Sequence, residues 1–339
     1  MEALLYEPLE DRKVHCRLCA HHCKVDNGQA GICQVRINRR GRLETLVYGK
    51  LVARNVDPIE KKPLFHYLPG SRSFSIATVG CNFKCRFCQN ADIAQLPAER
   101  KGLIIGEQVA PEAVVAEALA AGCASIAYTY TEPTVFFEFA LAVATQAKAA
   151  GLGNVFVTNG YMSAEALDRV APYLDAANVD LKAYSDEFYR EMCGARLAPV
   201  KTTLKRMKAR GILVEVTTLV IPGLNDESSE LKALATFLVD ELGPETPWHL
   251  SRFHPTFRLT DRSPTPVETL QEAHQIGLEA GLKYVYIGNV PGSGAENTHC
   301  PECHNIIINR FHYHARARLI DGNHCAYCHT PIDGIFEMP

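Results

Sequence analysis

The chain has 339 residues, 47% of them apolar, and a formal net charge of −3. That length and apolar share support one large core with appendages and exclude a disordered chain, while the near balance of charge excludes a chain-wide positive field for nucleic acid or an anionic membrane. The outlying count is thirteen cysteines. MEALLYEPLEDRKVHC lacks the order of a secretory signal, so the expected setting is the reducing cytoplasm, where clustered cysteines bind metal more often than they form disulfides.

Residues 1–72 read as a small metal-binding extension. Cys16, Cys19, Cys23 and Cys33 form the first cluster, with two, three and nine residues between successive members. That spacing fits neither a zinc knot nor a cubane template well, so zinc and an auxiliary iron–sulfur cluster both stay open, and His21 or His22 could replace a thiolate. Val35 and Ile37 then alternate with polar residues before Arg40 and Gly41, which predicts a hairpin. A connector rich in proline and charge, NVDPIEKKPLFHYLPGS, follows.

From residue 73 to 292 short apolar runs alternate with helical stretches, which predicts an α/β domain of repeated strand–helix units around a parallel sheet. Strands are expected in SFSIATV, SIAYTY, NVFVT, AANVDLKA, LVEVTTLVI, HLSRF and KYVYIGN. Helices are expected in PEAVVAEALAAG and TVFFEFALAVATQAKAAG, both stopping at glycine, the second with Phe136, Phe139, Ala140, Val143 and Ala147 on one stripe. Glu138, Gln146 and Lys148 interrupt this most apolar stretch, so no membrane span is expected. TPVE at 265–268 predicts a helix start capped by Thr265.

Cys81, Cys85 and Cys88 follow the first of these strands, on the loop at the carboxyl edge of the expected sheet, where barrels of this kind place their active sites. Four thiolates close a zinc site or complete a cubane. Three, with no further cysteine before Cys123, predict an iron–sulfur cluster with one iron open to a substrate or cofactor. The competing reading is a zinc site completed by a distant histidine such as His66. Cys123 and Cys193 stand alone and read as buried apolar residues.

Residues 293–339 carry Cys300, Cys303, Cys325 and Cys328 in two CxxC pairs, the spacing of a zinc ribbon, with Ile306–Ile308 as a short strand between them. Rubredoxin-like iron or a second cluster is the alternative. The segment has too few large apolar residues for its own core, so a metal would organise it. Arg36, Arg39, Arg40 and Arg42, and Arg310, Arg316 and Arg318, form two basic patches that read as solvated faces rather than nucleic-acid sites.

With the aromatic Phe87 before the last cysteine, CxxxCxxC resembles the signature of radical S-adenosylmethionine (SAM) enzymes. YTYTEP, VTNGY, NVDLKAY, WHLSRFHP and YVYIGN extend the resemblance to the pyruvate formate-lyase activating enzyme branch, and both terminal cysteine groups extend it to the radical enzymes of the AmmeMemoRadiSam system. The resemblance implies a partial (β/α)6 TIM-type barrel and a [4Fe-4S] cluster on Cys81, Cys85 and Cys88 with SAM on the open iron. It also implies cleavage of SAM to a 5′-deoxyadenosyl radical that takes hydrogen from a substrate. It implies SAM contacts for Phe87, Asn90, Glu132 (the ammonium), Thr158, Asp180, Lys182 (the carboxylate) and His254 (the ribose). Tyr130 and Thr131 stand where the family has two glycines, and Val157 where it has an aspartate. The implied partners are an electron donor such as flavodoxin or ferredoxin and, by pathway, a Memo-like protein. Two other functions compete: a glycyl-radical-enzyme activase, and a non-catalytic zinc-ribbon protein that binds nucleic acid or acts as a scaffold.

Overall fold

A computed structural model describes residues 1–290, 292 and 294–337; the expected divide at 292/293 touches Ser293, outside the described residues. Seven runs rich in β-branched and aromatic residues form β1 (Arg72–Ala77), β2 (Ser125–Tyr128), β3 (Gly153–Thr158), β4 (Ala176–Asp180), β5 (Leu213–Val220), β6 (Trp248–Arg252) and β7 (Val285–Gly288). They pair in parallel in that order. Between them lie α1 (Pro111–Ala120), α2 (Phe137–Ala149), α3 (Ala164–Val170), α4 (Leu197–Ala209), α5 (Ser228–Leu242) and α6 (Val267–Glu279). This is an α/β fold of six strand–helix units closed by a seventh strand, left open between β1 and β7.

The free edge of β1 is covered by Ala53–Pro58, paired antiparallel to it. Sequence reading placed this stretch within the extension and its connector. An edge strand in which Val56 is exposed carries no alternating apolar signal.

The expected stripe on α2 is fully buried, and each phenylalanine on it contributes roughly 2–3 kcal/mol of burial. Both α1 and α2 end at a left-handed glycine, Gly122 (φ +62°) and Gly151 (φ +77°). The cap expected at Thr265 does not form. Its hydroxyl donates to Val220 O (2.6 Å) and accepts from Phe253 N–H (2.9 Å), tying the end of β5 to the loop after β6, while α6 starts past Pro266.

The expected N-terminal hairpin forms between Arg36–Arg39 and Arg42–Thr45, turned through Arg40 and Gly41 at positive φ. Arg36 leaves the basic patch: it is buried and paired to Glu138 on α2 at 2.8 Å. Arg310 leaves the other. Its guanidinium donates to Phe65 O (2.7 Å), Thr298 Oγ1 (2.7 Å) and Glu296 O (2.9 Å), and lies 4.1 Å over the Phe65 ring. Ile307, Ile308 and Ile332 of the C-terminal segment share one core with Phe65, Tyr284 and Tyr286, so a segment too apolar-poor to fold alone borrows the barrel's side chains. No described helix is long and apolar enough to cross a membrane.

Candidate active site

The carboxyl ends of the strands surround a cavity of about 530 Å³, the position at which parallel α/β sheets hold ligands. Cys81, Cys85, Phe87, Cys88, Asn90, Glu132, Thr158, Asp180 and Lys182 all line it. His254 does not: it is exposed on the loop after β6, and Ser251 and Asn289, joined by a 2.9 Å hydrogen bond, line that side instead.

The triad loop starts at Gly80, whose φ of +101° suits glycine and whose added Cβ would meet Val35 Cγ1 at 2.5 Å. The N-terminal extension therefore presses directly on the loop. Cys81 Sγ accepts from Phe83 N–H (3.4 Å) and sits 3.8 Å from Asn159 Nδ2. Burial pushes the Cys81 thiol up and the Cys88 thiol to about 11, and the hydrogen bond that the neutral Cys85 thiol makes to Cys193, together with burial, pushes Cys85 up. Free thiols here stay protonated at neutral pH; a metal group is what makes thiolates of them.

Sulfur spacing separates the triad from the C-terminal cysteines. A tetrahedral zinc with bonds of about 2.3 Å holds its sulfurs about 3.8 Å apart. Cys300, Cys303, Cys325 and Cys328 meet that standard, with Sγ–Sγ distances of 3.5 and 3.7 Å across the set. Among the described residues theirs is the one group of three or more ligand atoms all within 4.8 Å of one another. The triad is spread wider than a single ion requires and suits a cluster. The alternative fourth ligand, His66, is spent elsewhere: its ring nitrogens meet Asp333 O (2.6 Å) and Tyr286 Oη (2.7 Å).

Glu132, almost fully buried, ties β2 to β3. Its Oε1 takes Thr134 N–H (3.0 Å), Thr134 Oγ1 (2.5 Å) and Thr158 Oγ1 (2.7 Å), and its Oε2 takes Asn159 N–H (2.8 Å). Burial raises its pKa against these donors. Carboxylates offer about four lone-pair positions, so Oε2 keeps one for a cation. Tyr130 adopts φ +62°, the conformation a glycine there would take. Its carbonyl accepts from Asn90 Nδ2 (2.8 Å) and its hydroxyl bonds Asp57. Asp180 and Lys182 form a 2.8 Å ion pair at the end of β4; burial opposes the lysine's charge, and Asp180 restores it.

Several lining or supporting residues gave no sequence signal. Lys62 lies in the proline-rich connector, buried, 2.7 Å from Asp57 and 4.7 Å from the Tyr130 ring centre, and burial pushes it down to about 8. Cys193 ends a π-helical turn (Tyr189–Cys193) and sits behind Cys85, away from the cavity lining. Tyr313 reaches in from the C-terminal hairpin and also lines an adjoining cavity of about 450 Å³.

Residues 75–235 match the family model of the radical SAM superfamily. An uncharacterized protein of Methanocaldococcus jannaschii is 45% identical over 98% of both chains. An isethionate sulfite-lyase activating enzyme of Oleidesulfovibrio alaskensis is 30% identical over 36% of this chain and 40% of its own length. The structure of Streptococcus suis SuiB bound to S-adenosylmethionine superposes with a TM-score of 0.50 at 12% identity, over 62% of this chain and 49% of that one, a likeness of fold. An α/β barrel whose first loop carries CxxxCxxC at the mouth of a polar cavity, within a matching family model, makes this chain a member of the radical SAM superfamily.

Proposed function

We propose that Cys81, Cys85 and Cys88 hold a [4Fe-4S] cluster, that SAM binds its open corner, and that the enzyme removes a hydrogen atom from a substrate in the adjoining cavity. The observation that carries this reading is the triad opening onto the same cavity as Glu132, Asp180 and Lys182. Cluster and SAM, when bound, supply one-electron reductive cleavage of a carbon–sulfur bond. The chain's own residues do the rest. Oε2 of Glu132 receives the SAM ammonium, Lys182 faces its carboxylate, and Thr158 and Asn159 hold Glu132 in place. Asn90 fixes the Tyr130 backbone, and with Cys85 bound as a thiolate the neighbouring Cys193 thiol would be its donor. A flavodoxin- or ferredoxin-type donor in the cytoplasm provides the electron, and Cys300, Cys303, Cys325 and Cys328 hold zinc. Anaerobic reconstitution with iron and sulfide, then dithionite and SAM, is expected to yield 5′-deoxyadenosine, and Cys85→Ala to yield none; a loaded wild-type cluster that leaves SAM intact would refute the reading. The activating-enzyme relatives favour one narrower version, in which the substrate is a glycine of a protein partner. A glycyl radical seen in such a partner after incubation supports it.

A further inference from the structure

The four N-terminal cysteines repeat the physical features of the triad rather than those of the C-terminal site. Cys16, Cys19, Cys23 and Cys33 all line one narrow, mostly apolar cavity of about 20 Å³. They form no group of three ligand atoms within 4.8 Å, the standard that the C-terminal four satisfy. A zinc ion draws its thiolates to about 3.8 Å and fills the space between them. A cubane, with an iron at each liganded corner, holds them farther apart.

Two residues with unpartnered donors line the same cavity. Arg36 and Asn82, both almost fully buried, line the cavity, and Arg36 Nε and Asn82 Nδ2 have no hydrogen-bond partner. Lys84 Nζ is likewise buried and unpartnered, and it lies within the electrostatic reach of Cys33 on one side and of Cys81, Cys85 and Cys88 on the other. Buried N–H groups without acceptors are rare in native proteins, and two on residues lining one cavity with four sulfurs, with a third nearby on Lys84, call for an anionic, multi-sulfur occupant. The histidines that could have replaced a thiolate are engaged otherwise: His21 lines the cavity but its Nε2 bonds Asn82 O (2.8 Å), and His22, exposed, faces the His15 ring.

We propose that Cys16, Cys19, Cys23 and Cys33 bind a second iron–sulfur cluster of the [4Fe-4S] type, separated from the triad by the Gly80–Lys84 segment of the triad loop. The site stands on its own sulfurs and donors and does not require the triad to hold a cluster.

The test uses the full chain, purified and reconstituted without oxygen, with iron, acid-labile sulfide and zinc counted and Mössbauer spectra recorded. Wild type is expected to carry about eight irons and one zinc, and Cys81→Ala/Cys85→Ala/Cys88→Ala to remain brown with about four irons. Cys19→Ala/Cys23→Ala is expected to lose about four, and if it fails to fold the triad variant decides alone. A colourless triad variant with two zincs per chain overturns the proposal. Four irons in both wild type and the triad variant would refute the triad reading and leave this one standing.

Discussion

Glu132→Gln probes the cavity's central carboxylate with a change of one atom. Three donors converge on Oε1 and one, Asn159 N–H at 2.8 Å, on Oε2. An amide that keeps its oxygen at the crowded position sets its NH2 against Asn159 N–H, donor facing donor. One hydrogen bond is lost and one buried donor is orphaned, which costs about 1–3 kcal/mol of stability. The same NH2 also occupies the position left for the SAM ammonium, removing a charge-assisted bond of about 1.5–3 kcal/mol. SAM should therefore bind about 10- to 150-fold more weakly. Titrating SAM into the reconstituted, reduced variant and following the cluster's EPR signal reads affinity on folded protein only, which separates this loss from the fall in Tm. A folded Glu132→Gln protein that binds SAM within about threefold of wild type would refute the assignment.

Cys193→Ala should leave the iron content unchanged, because Cys193 sits behind Cys85 and outside the cavity lining; removing its hydrogen bond to the ligand sulfur should make the midpoint potential more negative in a redox titration, and lost iron would mean it is a ligand. Lys62, held near 8 against an ordinary 10.5, binds fewer protons folded than unfolded between those values. Unfolding there takes up a proton, so wild-type stability should rise from pH 8 to 10.5 relative to Lys62→Met by roughly 3 kcal/mol, and a flat difference in thermal unfolding contradicts the depressed pKa. Arg310→Met strands three buried acceptors, Phe65 O, Thr298 Oγ1 and Glu296 O. It should cost about 3–5 kcal/mol and speed limited proteolysis beyond residue 300 while the barrel resists; equal cleavage rates would show that Arg310 is not the tether.

The barrel was legible because each strand is a short apolar run and the helices α1 and α2 both stop at a glycine, signals confined to a few neighbouring residues. The cavity was legible where residues end a strand, as Thr158 and Asp180 do, or stand on the short loop after one, as Glu132 does, since strand order alone brings those ends together. Legibility failed where a side chain's partner lies on a distant element. Thr265 looked like a cap until Val220 and Phe253 claimed its hydroxyl. Arg36 and Arg310 looked solvated until Glu138 and Phe65 covered them. His254 follows its strand by two residues, yet that loop turns it to solvent. Lys62 and Cys193 are set by contacts with Asp57 and Cys85 that no local pattern records.

The cysteines show the same limit most sharply. Cys16-x2-Cys19 and Cys300-x2-Cys303 are the same local motif, and both knuckles are completed by cysteines farther along the chain. What separates them is the backbone between. In the tail the second knuckle, Cys325-x2-Cys328, folds back symmetrically on a short antiparallel hairpin, and the sulfurs of opposite knuckles come to 3.5 and 3.7 Å, leaving room for one ion. In the extension Cys23 and Cys33 arrive from separate turns, while the hairpin that follows is anchored to α2 through Arg36 and Glu138. That anchor ties the Cys33 side of the extension to the barrel, and no three of these four sulfurs lie within 4.8 Å of one another. The backbone between the cysteines, rather than their count or their spacing in sequence, sets how closely their sulfurs approach one another.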